Sequence, residues 1–194
     1  MFGDVLVLLR DGLNDFIRAQ SGTPLPDAGE DRVLLIDGEN MDPIEFRLGA
    51  ITGLLVNIEE EGMLRTADPY RGVSADGKPQ RVQPEIRLNL YVLFVARFKV
   101  YEQGLQYLAM VLRFFQSHRA MDHDNTPALG ADIEKLVLEL VTLPLSEQNE
   151  IWSALRTSYH PSLLYRVRMV VFKDSAGTSV PQIGSTELRI SRSQ

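Results

Sequence analysis

The segment of this chain that most constrains its fold is residues 85–98, which alternate in polarity with the period of a β-strand. One face of that strand would be apolar throughout. It consists of Ile86, Leu88, Leu90, Val92, Phe94, Ala96 and Phe98. The other face is apolar in its middle and carries Arg87 and Arg97 at its ends. Because successive side chains of a strand point to opposite faces, the first face must be covered by other parts of the chain.

Three segments have the three- and four-residue spacing of amphipathic helices. They cover about residues 2–19, 102–117 and 147–157, and Ser146 is a plausible N-cap for the last. The single tryptophan, Trp152, lies in this third segment beside Ile151 and Leu155. We expect it to pack the helix onto the sheet.

Further strands are predicted at residues 33–36, 51–58, 133–143 and 163–172. Between them, residues 66–84 contain several Pro and Gly and indicate a long loop, and residues 118–132 are polar and turn-rich. The mixed order of helices and strands predicts one α+β domain over residues 1–173, with a mixed, mainly antiparallel sheet flanked by about three helices. Residues 174–194 are rich in small and polar residues and are expected to form a flexible tail.

Composition excludes several classes of function. The 194-residue chain contains no cysteine, which excludes disulfides, thiol nucleophiles and cysteine-ligated metals. Its net charge of −6 disfavours non-specific binding to nucleic acid. It has no apolar run of the roughly 20 residues that a membrane-spanning helix needs, and its N-terminus lacks the pattern of a signal peptide, so we expect a cytosolic protein when it is made.

The charge is unevenly distributed along the chain. Residues 27–61 contain ten acids and two bases, whereas residues 156–194 contain six bases and two acids. These segments could simply be solvated faces. Alternatively, an acidic patch on one subunit could meet a basic patch on the next, as in head-to-tail assemblies.

Two groups of residues are candidates for chemistry. His118, Asp122, His123 and Asp124 form the one local cluster of histidines and carboxylates, but no helical spacing fixes them, so a solvated loop is favoured over a metal site. Glu59 and Glu61 would share one face of an extended strand and could act in acid–base catalysis. Carboxylates at a strand end are more often exposed or paired with arginine, and no catalytic motif accompanies them.

The arginines offer a second interpretation of the same strands. Arg166 and Arg168 share a strand face, as do Arg87 and Arg97. These faces are either solvent-exposed or, because arginine is enriched in interfaces, part of a contact between subunits. The predicted interface residues are Glu59, Glu60, Glu61, Arg87, Arg97, Arg166 and Arg168.

Several blocks of sequence resemble one protein family. They are LLVNIEEE at 54–61 followed by Leu64-Arg65, LNLYVLFVARF at 88–98, YEQGLQYLAMVLRFFQ at 101–116, and the stretch 133–171 containing SEQNEIWSALRTSYHPSLLYRVRMVV. In this order, and with the N-terminal helix, they resemble the tail-terminator or cap proteins of extracellular contractile injection systems of the antifeeding-prophage type. The resemblance covers most of residues 1–173 and includes no catalytic signature. Residues 66–84 and the tail lie outside it.

The resemblance implies a structural, non-enzymatic protein without cofactor or metal. Such a cap would form a six-fold ring that ends the inner tube and holds the last sheath ring, with tube and sheath proteins as partners. It would assemble in the cytoplasm and then become part of a particle that can be released. Two alternatives stay open: an adaptor that binds another tail component without forming a ring, and a small enzyme that uses Glu59 or Glu61 with a partner from residues 118–124.

Overall fold

The computed structural model describes residues 1–20, 31–36, 38, 44–61, 71–73, 79–81, 87–171 and 178–179. The chain divides into two compact units. The larger consists of Met1–Gly62 and Ile86–Phe172, and the smaller of Met63–Glu85 and Lys173–Gln194.

All helices and most strands of the described residues belong to the larger unit. The helices are α1 (Phe2–Gln20), α2 (Tyr101–Ser117) and α3 (Leu145–Ala154). The strands among the described residues, in chain order, are β1 (Val33–Leu35), β2 (Ala50–Glu60), β3 (Arg71–Val73), β4 (Pro79–Arg81), β5 (Arg87–Arg97), β6 (Ala120–Asp122), β7 (Ile133–Val141), β8 (Ser162–Val171) and β9 (Thr178–Ser179).

The larger unit is built on a six-stranded sheet with the strand order β1-β2-β5-β8-β7-β6. Strand β1 is parallel to β2, and the other neighbouring pairs are antiparallel. The predicted fold class, an α+β domain with a mixed and mainly antiparallel sheet, is therefore confirmed.

Strand β5 is buried on both faces in its middle. Leu90, Val92 and Phe94 point to a core that also contains buried side chains of α1 and α2. Leu93 and Val95 point the other way, to a second core that contains Trp152 of α3. The alternation of residues 85–98 therefore corresponds to two faces of β5 that belong to two different cores. Trp152 packs the third helix onto the sheet, as expected.

Helices α1 and α2 meet at Gly12. A Cβ atom at this position would lie 3.0 Å from Cζ of Phe114, which is closer than nearly all side-chain contacts. Glycine therefore allows the ring of Phe114 to approach the backbone of α1, where it also contacts Phe16 at a centroid distance of 5.6 Å.

Local details differ from the sequence prediction. Helix α3 begins at Leu145 after Pro144, with no side-chain cap bond, so Ser146 is not the N-cap. The turn-rich segment 118–132 includes the short strand β6. Its three residues carry too little pattern for periodicity to reveal.

The smaller unit contains a three-stranded sheet with the order β3-β4-β9. Residues 66–84 therefore include two short strands rather than a loop alone. The rest of that segment lies outside the described residues, as does all of the predicted tail 174–194 except Thr178–Ser179. The domain boundary at residue 173 and the flexibility of the tail stay predictions.

Candidate functional site

Charged and polar side chains cross four neighbouring strands on one face of the larger sheet. We call this set the charged ladder, and its members are Glu59, Glu61, Asn89, Tyr91, Glu139, Arg166 and Arg168. The strand register places Tyr91 opposite Arg166 and Arg166 opposite Glu139, and it places Asn89 between Glu59 and Arg168. The ladder lies on the same sheet face as Trp152, beyond the part covered by the second core.

Hydrogen bonds and ion pairs join the ladder across the strands. The hydroxyl of Tyr91 donates to Oε2 of Glu59 at 2.8 Å. Nε of Arg166 donates to Oε2 of Glu139 at 2.9 Å, and Arg168 lies 3.4 Å from Glu139 and 3.9 Å from Glu61. Asn89 donates to Glu61 at 3.3 Å. The ladder is therefore a connected network and not a set of separate surface charges.

The contacts shift the pKa values of Tyr91, Glu139 and Arg166. The hydrogen bond from Arg166 lowers the pKa of Glu139, against the smaller effect of desolvation. Desolvation, followed by the bond to Glu59, raises the pKa of Tyr91. With three glutamates and two arginines, the ladder has a formal net charge of −1.

The ladder is accessible from solvent. The side chains of Arg166 and Arg168 are 38% and 39% exposed, and that of Glu139 is 27% exposed. A half-exposed network of fixed charges can recognise a partner through electrostatic complementarity, and such surfaces contribute mainly to specificity and association rate.

The structure brings together four of the seven predicted interface residues: Glu59, Glu61, Arg166 and Arg168. Glu60 projects from the opposite face of β2, opposite Leu88 of the first core. Arg87 lies at the start of β5, whereas Arg97 lies at its other end and donates from Nη1 to the carbonyl oxygen of Phe46 at 2.5 Å. Arg97 therefore anchors the segment that covers the second core.

Sequence reasoning missed Asn89, Tyr91 and Glu139. Asn89 and Tyr91 lie in β5 and Glu139 lies in β7, and both strands are mainly apolar. Their positions on the polar side of the alternation were visible, but only the register shows that they meet the charged residues of β2 and β8.

The side chains of the cluster at residues 118–124 form hydrogen bonds with nearby backbone groups. Nδ1 of His118 lies 2.9 Å from the carbonyl oxygen of Phe114, and Nε2 of His123 lies 2.9 Å from that of Ile133. Oδ1 of Asp122 accepts hydrogen bonds from the backbone of Asp124 and Asn125, as in a turn. Within the described ranges, no group of three His, Cys, Asp or Glu residues is placed to hold a metal ion.

The same cluster lies far from Glu59 and Glu61. Strand β6, which ends at Asp122, is four strand positions away from β2 in the sheet. At about 4.8 Å per strand, that is roughly 19 Å along the sheet. Hydrogen-bond reach is about 3 Å, so the two groups do not form a catalytic pair.

Together, these observations define an α+β protein whose six-stranded sheet carries a connected charged network on one face. The chain belongs to the family described as the Pvc16 N-terminal domain, whose model matches residues 5–185. The family resemblance predicted from the sequence is thereby confirmed. No curated protein matches the chain.

Solved structures that match the chain include the following two. The sheath/tube terminator of the extracellular contractile injection system PVC, solved by cryo-EM in the extended state, aligns with a TM-score of 0.54 and 16% identity, covering 94% of this chain and 63% of that one. The tube terminating cap of the anti-feeding prophage aligns with a TM-score of 0.47 and 20% identity, covering 73% of this chain and 49% of that one. This chain thus spans less than two thirds of the length of either. No helix among the described residues is long and apolar enough to cross a membrane.

Proposed function

We propose that this protein is a structural terminator of a contractile injection system. It would form a ring, six-fold by resemblance, that ends the inner tube and anchors the last sheath ring. The observation that carries the proposal is the family match along residues 5–185. The fold shared with the PVC sheath/tube terminator supports it.

The charged ladder is the surface that we propose for contact between subunits or with the tube and sheath. It is exposed, rigidly held by β-strands and mixed in sign, so a neighbouring surface with the reverse arrangement would dock in one register. Arg87 lies two residues before Asn89 on the same face of β5 and extends this surface, whereas Glu60 points to the opposite face at this end of the sheet. The proposed role requires no catalysis, cofactor or metal, and it places the protein in the cytoplasm during assembly and in the particle afterwards.

The terminator role is tested by deleting the gene and imaging the particles. Without a terminator, tube and sheath should polymerise to irregular lengths, and the wild-type gene should restore a uniform length. A tagged copy should label one end of each particle, distal to the baseplate. Uniform particles that lack the protein would refute the proposal.

The role of the ladder is tested by charge reversal. Replacing Glu59, Glu60 and Glu61 together with lysine should weaken assembly strongly. The same change should alter the free energy of unfolding only slightly. The matched control replaces three other exposed acids, Glu102, Asp132 and Glu134, with lysine and so makes the same change in net charge. If the first variant assembles normally in low salt, residues 59–61 are not at an interface.

A further inference from the structure

The first turns of α3 present an exposed leucine beside two exposed acids. Leu145 is 83% exposed, the largest value for a large apolar side chain among the described residues. Glu147 and Glu150 are also exposed, and neither forms an ion pair with another described residue. Helix α3 contains no basic residue. We call Leu145, Glu147 and Glu150 the α3 tip, which can add both apolar area and negative charge to a contact.

A groove beside β1 offers apolar area to such a contact. It has a volume of about 470 Å³, and its lining includes Leu34, Leu35 and Ile36 of β1 and Phe46. The hydroxyl of Thr52, which also lines it, is buried and has no hydrogen-bond partner in the part of the chain that the structure describes. A buried hydroxyl without a partner costs free energy, so an added polar group at this point would stabilise the protein. We call this groove the β1 groove.

The charges of the β1 groove favour an acidic occupant at one point. Arg10 lines the groove but is paired with Asp11 at 2.7 Å. Arg47 also lines it, is exposed, and forms no ion pair with another described residue. Because Glu45 is a third charged residue of the lining, an acid has to approach Arg47 and stay away from Glu45. This arrangement restricts the orientation in which an acidic helix end can dock.

The α3 tip and the β1 groove lie at similar heights near opposite edges of the six-stranded sheet. Strands β2, β5 and β8 separate β1 from β7, the strand that leads into α3. One row of paired residues crosses the sheet and ends one residue away from Gly53, which pairs with Leu35 of β1. The row consists of Val141, Leu164, Leu93 and Leu54. Leu145 lies four residues after Val141, which is at most about 14 Å, whereas four strand spacings are roughly 19 Å. The tip therefore does not reach the groove of its own chain.

We propose that the α3 tip of one copy docks in the β1 groove of the next copy. Leu145 packs against the apolar side chains of β1, and the two glutamates of the tip approach Arg47. Since the two surfaces are different and lie near opposite edges of the sheet, the contact is head-to-tail, and its repetition closes a ring or extends a filament. The inference rests on the proposed function in one respect, that copies of the chain meet in a ring, and it names the residues of that contact.

Crosslinking tests the contact directly, because the chain has no cysteine of its own. One tagged copy carries Leu145→Cys, and a differently tagged copy carries Leu35→Cys or Arg47→Cys. In the control, Glu134→Cys, an exposed position at the other end of β7, replaces the groove cysteine. The pairs are oxidised as purified mixtures and in isolated particles. We expect disulfides between copies with both groove positions and about tenfold fewer with Glu134→Cys.

A chain that carries Leu145→Cys together with Arg47→Cys distinguishes head-to-tail docking from other contacts. Head-to-tail docking should give covalent trimers and larger species, because every copy has one tip and one groove. Only dimers, only disulfides within one chain, or equal crosslinking with the control position would overturn the proposal.

The particle sample separates this inference from the proposed function. Protein that is present in particles but forms none of these disulfides there refutes the docking and leaves the terminator role standing. Protein absent from particles refutes the terminator role, and crosslinking of the purified protein then decides the docking.

An exchange of charges provides a second test. Glu147→Arg with Glu150→Arg, or Arg47→Glu alone, should weaken association between copies about tenfold or more, because each change places like charges together. All three substitutions in one chain should restore association to within about threefold of wild type. Glu102→Arg, an exposed position on α2, is the control and should associate like wild type.

Analytical ultracentrifugation and incorporation into particles measure the association of these variants, and circular dichroism checks that each of them folds. Normal association of the tip and groove variants, or no recovery when all three substitutions are combined, would contradict the proposal.

Discussion

At the scale of single residues, Asn14 shows how one polar side chain can shape a sheet. It is 3% exposed, and its amide group makes three hydrogen bonds with the backbone at the start of β1. Burying an amide that has these hydrogen-bond partners costs little free energy. Without the Asn14 side chain, the backbone groups that it bonds would be buried and unpaired. Asn14 therefore acts on β1 as much as on its own helix.

Replacing Asn14 with leucine should destabilise the protein by roughly 2–4 kcal/mol, because it leaves backbone groups of Arg32 and Val33 without partners. Urea unfolding would measure the loss. Asp15→Ala is the control: the next residue of α1 is exposed and forms a surface ion pair with Arg18, so its loss should change stability by at most about 0.5 kcal/mol. Equal effects would show that the bonds of Asn14 add nothing to stability.

The contribution of Glu139 to the stability of the folded protein depends on pH. Its pKa is lowered from 4.5, first by the hydrogen bond from Arg166. A group with a lowered pKa in the folded state contributes stability above its unfolded pKa and loses it as the pH falls through the folded value.

We therefore expect wild type to be more stable than Glu139→Gln at pH 7, with the difference shrinking as the pH falls below about 4.5. Urea unfolding of both proteins between pH 7 and pH 3 would measure it. Glu134→Gln, an exposed position on the same strand, should show no comparable trend. A constant difference between wild type and Glu139→Gln would exclude the ion pair as its cause.

At the scale of elements, helix α3 ends with backbone strain. Arg156 follows the C-cap residue Leu155 and has a φ of 53°. This left-handed conformation is common just after a helix, but glycine adopts it at much lower cost than residues with a Cβ atom.

Arg156→Gly should stabilise the protein by about 1 kcal/mol, since the relief of strain exceeds the added flexibility of the unfolded chain. Arg156→Ala removes the same charge but keeps the Cβ atom, and should have little effect. Thermal unfolding of the two variants would compare them. If alanine stabilises as much as glycine, the guanidinium group and not the backbone is responsible.

The elements also differ in how readily their sequences predict them. Helices α1 and α2 and strands β5 and β8 are long enough for periodicity to identify them. Strands β3, β4, β6 and β9 have two or three residues each. Strands of that length show almost no pattern, and they form because a partner strand is in place.

At the scale of the whole molecule, the two cores share the strands that separate them. Leu93 and Phe94 of β5 are adjacent in sequence but point to different cores. Loss of either core therefore exposes one face of the same strands, which should couple the unfolding of both.

We expect the larger unit to unfold in one cooperative step. The fluorescence of Trp152, the only tryptophan, reports the second core, and far-ultraviolet circular dichroism reports all helices and strands. Their midpoints in urea should coincide. Two separate midpoints would show that the cores unfold independently, and Trp152→Phe would then test whether the tryptophan itself destabilises the second core.

The sequence by itself determined the fold class, the boundaries of the long elements and the family. Those properties depend on local periodicity and on the order of recognisable blocks along the chain. Only the tertiary structure decided which polar residues form the charged ladder. The ladder depends on strand register and strand order, which bring together residues such as Glu59 and Arg166 that are distant in the chain, and no local pattern encodes that pairing.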